Sequence, residues 1–214
     1  MGEGLELKAG DIFLVSGQGF FSRGIRRFTR GRGEAETIAT HVGVVVSDGT
    51  FETATVVEAL GHGVVRRSFA ESIGSQPFSV IRPLNLSPDA IKTAVAFAHR
   101  NVNCGYGWLK IGAQLGDFLI PWRNKKGHPP YFFRRIAGAD RWPFCSFLVD
   151  GFVNAALVYD AVLRYGAESV NLHALRAGIR PFGVEQNCCQ PDDIDDFATA
   201  YPKIYSRPVP WPES

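Results

Sequence analysis

Two runs of β-branched residues, Thr40-His41-Val42-Gly43-Val44-Val45-Val46 and Thr55-Val56-Val57-Glu58-Ala59-Leu60, flank Asp48-Gly49 and constrain this chain more than any other feature. Valine and threonine are stiff at χ1 and fit a pleated surface, and an Asp-Gly pair supplies a turn that folds one run back on the other. The expectation is an antiparallel pair of strands. Asp11-Ile12-Phe13-Leu14-Val15, a short apolar run bounded by Gly10 and Ser16-Gly17, reads as a further strand. Gly63-Val64-Val65-Arg66-Arg67 and Phe78-Ser79-Val80-Ile81-Arg82 extend the sheet.

Helical spacing takes over elsewhere. Phe20, Phe21, Ile25 and Phe28 recur with Arg23, Arg26, Arg27 and Arg30 between them, the pattern of a short basic amphipathic helix. Ser87-Pro88-Asp89 joins a cap, a proline for the first turn and an acid for the positive end of the dipole, and leads into Ile91, Val95, Ala98 and Val102. Two more apolar helices are expected over Trp108 to Ile120 and Ser146 to Tyr159. Gly31 to Glu36 and Asn124 to Pro130 read as loops, and no repeat is present. The fold class is therefore α+β, a small antiparallel meander framed by helices, in one domain covering residues 1 to 214.

A length of 214 residues with 45% apolar residues is enough for one real core. Sixteen phenylalanines and four tryptophans fit either a thick core or an apolar groove. A net charge of +2 gives no reason to expect nucleic acid as a partner. Met1-Gly2-Glu3-Gly4-Leu5-Glu6 carries acids and no apolar stretch of signal-peptide length, and no later run is long enough to span a bilayer. The expected location is cytoplasmic, or the protein is delivered by a phage particle or another non-classical route. Gly2 fails the myristoylation motif because residue 6 is Glu6. Cys104, Cys145, Cys188 and Cys189 show no zinc spacing, and adjacent Cys188 and Cys189 do not bridge easily, so reduced thiols and no metal are expected.

Cys145 follows Arg141-Trp142-Pro143-Phe144 and opens a run whose apolar residues continue at helical spacing. A cysteine at a helix N-terminus meets unpaired N–H groups and the positive end of the dipole, which favour the nucleophilic thiolate; the alternative is a buried, inert thiol. His41 begins a strand in which Gly43 shares its face, leaving space for an approaching group. Such a histidine is also a common structural residue, and its weight comes from a cysteine partner. Glu58 stands between Val57 and Ala59, where a carboxylate is costly unless paired, and the expected strand pairing brings it to His41 as the group that orients the ring.

The blocks Gly10-Asp11-Ile12-Phe13-Leu14-Val15, Thr40-His41-Val42-Gly43-Val44-Val45-Val46, Val57-Glu58-Ala59 with Gly63-Val64-Val65, and Phe144-Cys145-Ser146-Phe147-Leu148-Val149 resemble the circularly permuted NlpC-type papain-like hydrolases, the YiiX-like group. Gln190-Pro191-Asp192-Asp193-Ile194 echoes a further family segment. The resemblance implies a papain-like antiparallel meander or barrel packed against helices and a Cys145-His41-Glu58 triad. It also implies Tyr106, in Gly105-Tyr106-Gly107, as an oxyanion donor beside the backbone N–H of Cys145 or Ser146. The implied chemistry is acyl transfer through a thioester without a cofactor, most directly on an amide bond of peptidoglycan stem peptides. An acyl-lipid substrate, with peripheral contact to cell wall or membrane, is the rival, and an idle virion or binding domain is a third reading.

Other signals carry less. Gly17-Gln18-Gly19 lacks the third glycine of a dinucleotide loop. The arginines at 23, 26, 27, 30 and 32 and the group Lys125, Lys126, Arg134 and Arg135 read as solvated basic faces. His62, His99, His128 and His173 have no evident shared partner, and Cys104, after a helix end, lacks the activation expected at Cys145.

Overall fold

The computed structural model of the chain describes residues 4–17, 38–108, 112–113, 143–169, 171, 178–183 and 189–212. The basic helix expected over residues 20–30, the helix after Trp108 and the two long loops fall wholly or largely outside them. The described elements, in chain order, are β1 (Ile12–Val15), β2 (His41–Val45), β3 (Thr55–Leu60), β4 (Gly63–Ser68), α1 (Phe69–Ile73), β5 (Phe78–Pro83), α2 (Pro88–Asn101), α3 (Cys145–Tyr165), α4 (Pro191–Ala200) and β6 (Tyr205–Val209). A single 3₁₀ turn, Ala167–Ser169, follows α3.

The six strands form one antiparallel sheet in the order β4-β3-β2-β1-β5-β6. β1 to β4 run as the expected meander, whereas β5 does not continue past β4 and returns to the other side of β1. The reason lies in β1, whose four residues are all buried: an apolar run without alternation belongs to a strand covered on both faces and paired on both sides. β6 then pairs with β5, so β4 and β6 lie at the two margins of the sheet.

Alternation along the strands divides the core. Ile12, Leu14, Val42, Val44, Val57 and Ile81 face α2, α3 and α4, together with Leu148, Phe152 and Ile194. Phe13, Val15, Val45, Val56 and Val80 face the other way, where Phe69 and Ile73 of α1 join Leu7. Each large side chain buried in this way contributes about 1.5–3 kcal/mol from its removal from water. α1 carries a full capping box, Ser68 accepting from the Glu71 N–H and Glu71 accepting from the Ser68 N–H. α2 begins as its sequence foretells, with Ser87 as cap, Pro88 in the first turn and Asp89 behind it.

α3 starts one residue earlier than the spacing suggests, at Cys145, and runs 21 residues to Tyr165. Among the described residues it is the one helix long and apolar enough by composition to cross a membrane, and half of that stretch is buried inside the protein. Its apolar character follows from its position, with the sheet on one side and α2 on another.

Candidate active site

β2 starts at His41, and β2 pairs with β3 so that Gly43 faces Glu58. From that register the Glu58 side chain reaches back along β2, and His41 Nε2 lies 2.6 Å from Glu58 Oε2. Gly43 makes the approach possible, because a Cβ there would fall 2.4 Å from the Phe13 ring and 3.0 Å from Glu58 Cβ. Phe13 lies edge-on to the imidazole with ring centroids 6.4 Å apart, which closes the site from below.

The second Glu58 oxygen is held as well. Arg67 Nε, from β4, donates to Glu58 Oε1 at 2.5 Å. Glu58 is fully buried, whereas the Arg67 and His41 side chains keep 31% and 24% of their surfaces exposed. Burial alone would push the Glu58 carboxyl up; the hydrogen bond and charge of His41, then Arg67 and Ser72, outweigh it and hold the group down at about 2. Sequence patterning marks Arg67 only as a strand residue. The signal that could have found it is an acid in an apolar strand, which calls for a cation on a neighbouring strand.

Cys145 is the first residue of α3, preceded by Phe144 in extended conformation with no side-chain cap on the helix. Its side chain is buried, within hydrogen-bonding and charge reach of the His41 ring. Glu58 takes Nε2, so Nδ1 is the ring nitrogen left to face the thiol. Burial opposes a charged His41, but the interactions with Cys145 and Glu58 prevail and raise its pKa to about 10. A ring held in one tautomer by a buried acid and presented to a thiol at a helix start can shuttle protons in acyl transfer.

Tyr106 comes to the same place by another route. Val64 N–H donates to the Cys104 carbonyl at 2.9 Å and Asn103 N–H donates to the Val64 carbonyl at 2.9 Å, laying this segment along β4. Gly107 N–H then donates to the Pro143 carbonyl at 3.1 Å, which ties Tyr106 to the start of α3. Burial, with the charge of Cys145 as a second cause, pushes the Tyr106 phenol well above its ordinary range, so it stays a neutral O–H donor. Trp108 follows, its Nε1–H donating to the Gly61 carbonyl at 2.9 Å and its ring edge-on to Tyr106 at 5.0 Å between centroids, with 53% of the residue exposed.

The oxyanion role expected of Ser146 falls to its backbone N–H, and its side chain has a separate bond. Its hydroxyl donates to the Cys189 carbonyl at 2.6 Å and is buried, so its side chain anchors α3 and only its backbone N–H, in the first turn of α3, is left for an oxyanion role. His62 and His99 are exposed, Cys104 is half-buried and Cys189 is buried. His128, His173, Cys188 and the basic groups on either side of the described segments lie outside them. Among the described residues no three His, Cys, Asp or Glu side chains gather in a group that could hold a metal ion.

A scan of the chain against known protein-family models finds no match, and a search of curated proteins finds none either.

Proposed function

We propose that the chain is a cysteine hydrolase of the papain-like, permuted NlpC type, with Cys145 as nucleophile, His41 as acid and base, and Glu58 as the group that orients the histidine. The observation that carries this reading is the junction of His41 Nε2 with buried Glu58 at 2.6 Å while the same ring interacts with a cysteine at the start of a helix. A helix-opening cysteine set against an antiparallel sheet that carries both the histidine and the acid supports the papain-like assignment.

In the mechanism, Cys145 sulfur attacks the substrate carbonyl carbon, and Tyr106 O–H with the backbone N–H groups at the start of α3 receives the charge on oxygen. His41 gives its Nδ1 proton to the departing amine as the carbon–nitrogen bond breaks, leaving a thioester. Water then loses a proton to His41, attacks the thioester carbon and releases the acid, and the sulfur recovers its partner. Glu58 accepts the Nε2–H throughout and stabilises the imidazolium.

An amide bond of peptidoglycan stem peptides is the proposed substrate, on the strength of the sequence resemblance. A second reading, an acyl-lipid substrate, is favoured by exposed Trp108 standing beside Tyr106 at the same mouth. The test is iodoacetamide labelling of Cys145 across pH, with the site assigned by mass spectrometry, in wild type and His41→Ala. Fast labelling below about pH 7 that is lost in the mutant is expected of an activated pair. Labelling of an ordinary thiol, identical in both proteins, would leave a binding or structural domain, and turnover of stem peptides against acyl lipids separates the two substrates.

A further inference from the structure

We propose that Arg67 is a positioning residue of this site, a fourth member that acts on His41 through Glu58; the proposal rests on the cysteine-hydrolase reading. The geometry is a chain of contacts across three strands: Arg67 of β4, Glu58 of β3 and His41 of β2, with Cys145 of α3 beyond. Glu58 has two oxygens and each has a separate partner, so the carboxylate is clamped from both sides and has no freedom to rotate.

The charge argument is stronger than the steric one. Glu58 is fully buried, in a strand segment whose neighbours Val56, Val57 and Ala59 are buried too. In such surroundings an acid prefers to hold a proton, and a protonated Glu58 no longer stabilises an imidazolium. A guanidinium presents a fixed fork of donors, so Arg67 gives the Glu58 carboxylate a second hold beside that of His41. The groups facing Glu58 are His41 from β2, Arg67 from β4 and the uncharged Ser72 from α1; Arg67 also acts on Glu71 of α1, and Cys145 acts on both His41 and the neutral Tyr106. The partly exposed side chain of Arg67 lets it remain solvated while its Nε serves the buried acid.

The consequence is that Arg67 sets the acid limb of the site's pH profile. The experiment measures the second-order rate of Cys145 alkylation by iodoacetamide from about pH 4 to about pH 9 in wild type, Arg67→Gln, Arg67→Lys, Glu58→Gln and the Arg67→Gln/Glu58→Gln pair, with thermal melts confirming that each is folded. In Arg67→Gln Glu58 loses one of the two partners that aim it at His41, so the rate near pH 6 is expected to fall about 10-fold and the acid limb of the alkylation profile to move up, with Arg67→Lys recovering most of the loss. On the Glu58→Gln background the same change is expected to do little, because its target is gone. An unmoved acid limb in Arg67→Gln, or an undiminished effect on the Glu58→Gln background, overturns the proposal. A wild type whose Cys145 shows no histidine-dependent reactivity removes the hydrolase reading itself. A reactive wild type with an indifferent Arg67→Gln removes only the role of Arg67. Should Arg67→Gln fail to fold, Arg67→Met, which keeps an unbranched stem and drops the charge, decides in its place: an acid limb moved up supports the role, and a limb where the wild type has it overturns the role.

Discussion

Glu58 and Asp150 are both carboxylates sealed from water, one in β3 and one in α3, and the protein treats them in opposite ways. Glu58 has an imidazole on one oxygen and a guanidinium on the other. Neither oxygen of Asp150 has a hydrogen-bond partner among the described residues. Burial raises the Asp150 pKa to about 7 and the charge of Arg180 offsets only part of that, while burial also contributes to raising neighbouring Tyr205. The two positions show that burial by itself does not decide whether an acid is charged. The partners supplied by adjoining elements decide it, and the sheet supplies them where the helix does not.

The largest expected effect comes from breaking the held member. Glu58→Gln should lower Cys145 alkylation near neutral pH by about 100-fold or more and destabilise the fold by about 3 kcal/mol, because Arg67 and His41 lose their counter-charge. Alkylation rates and urea unfolding measure both. Gly43→Ala attacks the same carboxylate through its neighbour: the new methyl meets the Phe13 ring and Glu58 Cβ, so a loss of about 2–3 kcal/mol and a weakened His41 contact are expected. Urea unfolding with the alkylation assay reads this, and an unchanged midpoint would argue that Phe13 moves aside without cost.

Asp150 should respond with the other sign. Glu58, lowered to about 2 from 4.5, contributes stability that is present above about pH 4.5 and lost as pH falls toward 2. His41, raised from 6.5 to about 10, contributes stability that is full below about pH 6.5 and lost as pH rises through 10. Asp150, raised from 3.8 to about 7, costs stability that starts to be felt above about pH 3.8 and is complete above about pH 7. Asp150→Asn is therefore expected to stabilise the protein by about 1–2 kcal/mol at neutral pH and by nothing near pH 4, with urea unfolding at the two pH values as the measurement. A destabilised Asp150→Asn at neutral pH would mean that the carboxylate has a use the described residues do not display. Ser146→Ala, one turn before Asp150, should cost about 1 kcal/mol by removing the bond to the Cys189 carbonyl and leave Cys145 alkylation within about twofold. Denaturation and labelling together distinguish that anchoring role from a catalytic one.

Much of this arrangement was legible in the sequence because it is local. β-branched and short apolar runs announced β1 to β5, Ser87-Pro88-Asp89 announced α2, and the cysteine after Pro143-Phe144 marked the head of α3. The capping-box spacing of Ser68 and Glu71 was there to be read for α1. β6 was not, since Tyr205-Ser206-Arg207-Pro208-Val209 has neither alternation nor a β-branched run and owes its conformation to β5. The return of β5 to β1 is a long-range choice set by what remains unpaired. Glu58 was found from its apolar flanks and Arg67 was missed, because the second depends on which strand follows and in which register. The solitude of Asp150 is a property of tertiary surroundings, and no spacing encodes it.

The margins of the sheet bear on self-association. An outer strand offers unpaired backbone groups to any neighbouring molecule, and proteins resist this with charge, proline or a covering segment. β6 has Arg207 and Pro208, while β4 has Arg66 and Arg67 and is covered near Val64 by the backbone of Asn103 and Cys104. Arg67 therefore stands at a strand that must also stay out of intermolecular sheets. A neutral residue there would weaken a gatekeeper against aggregation as well as a contact to Glu58, whereas lysine would preserve the gatekeeper.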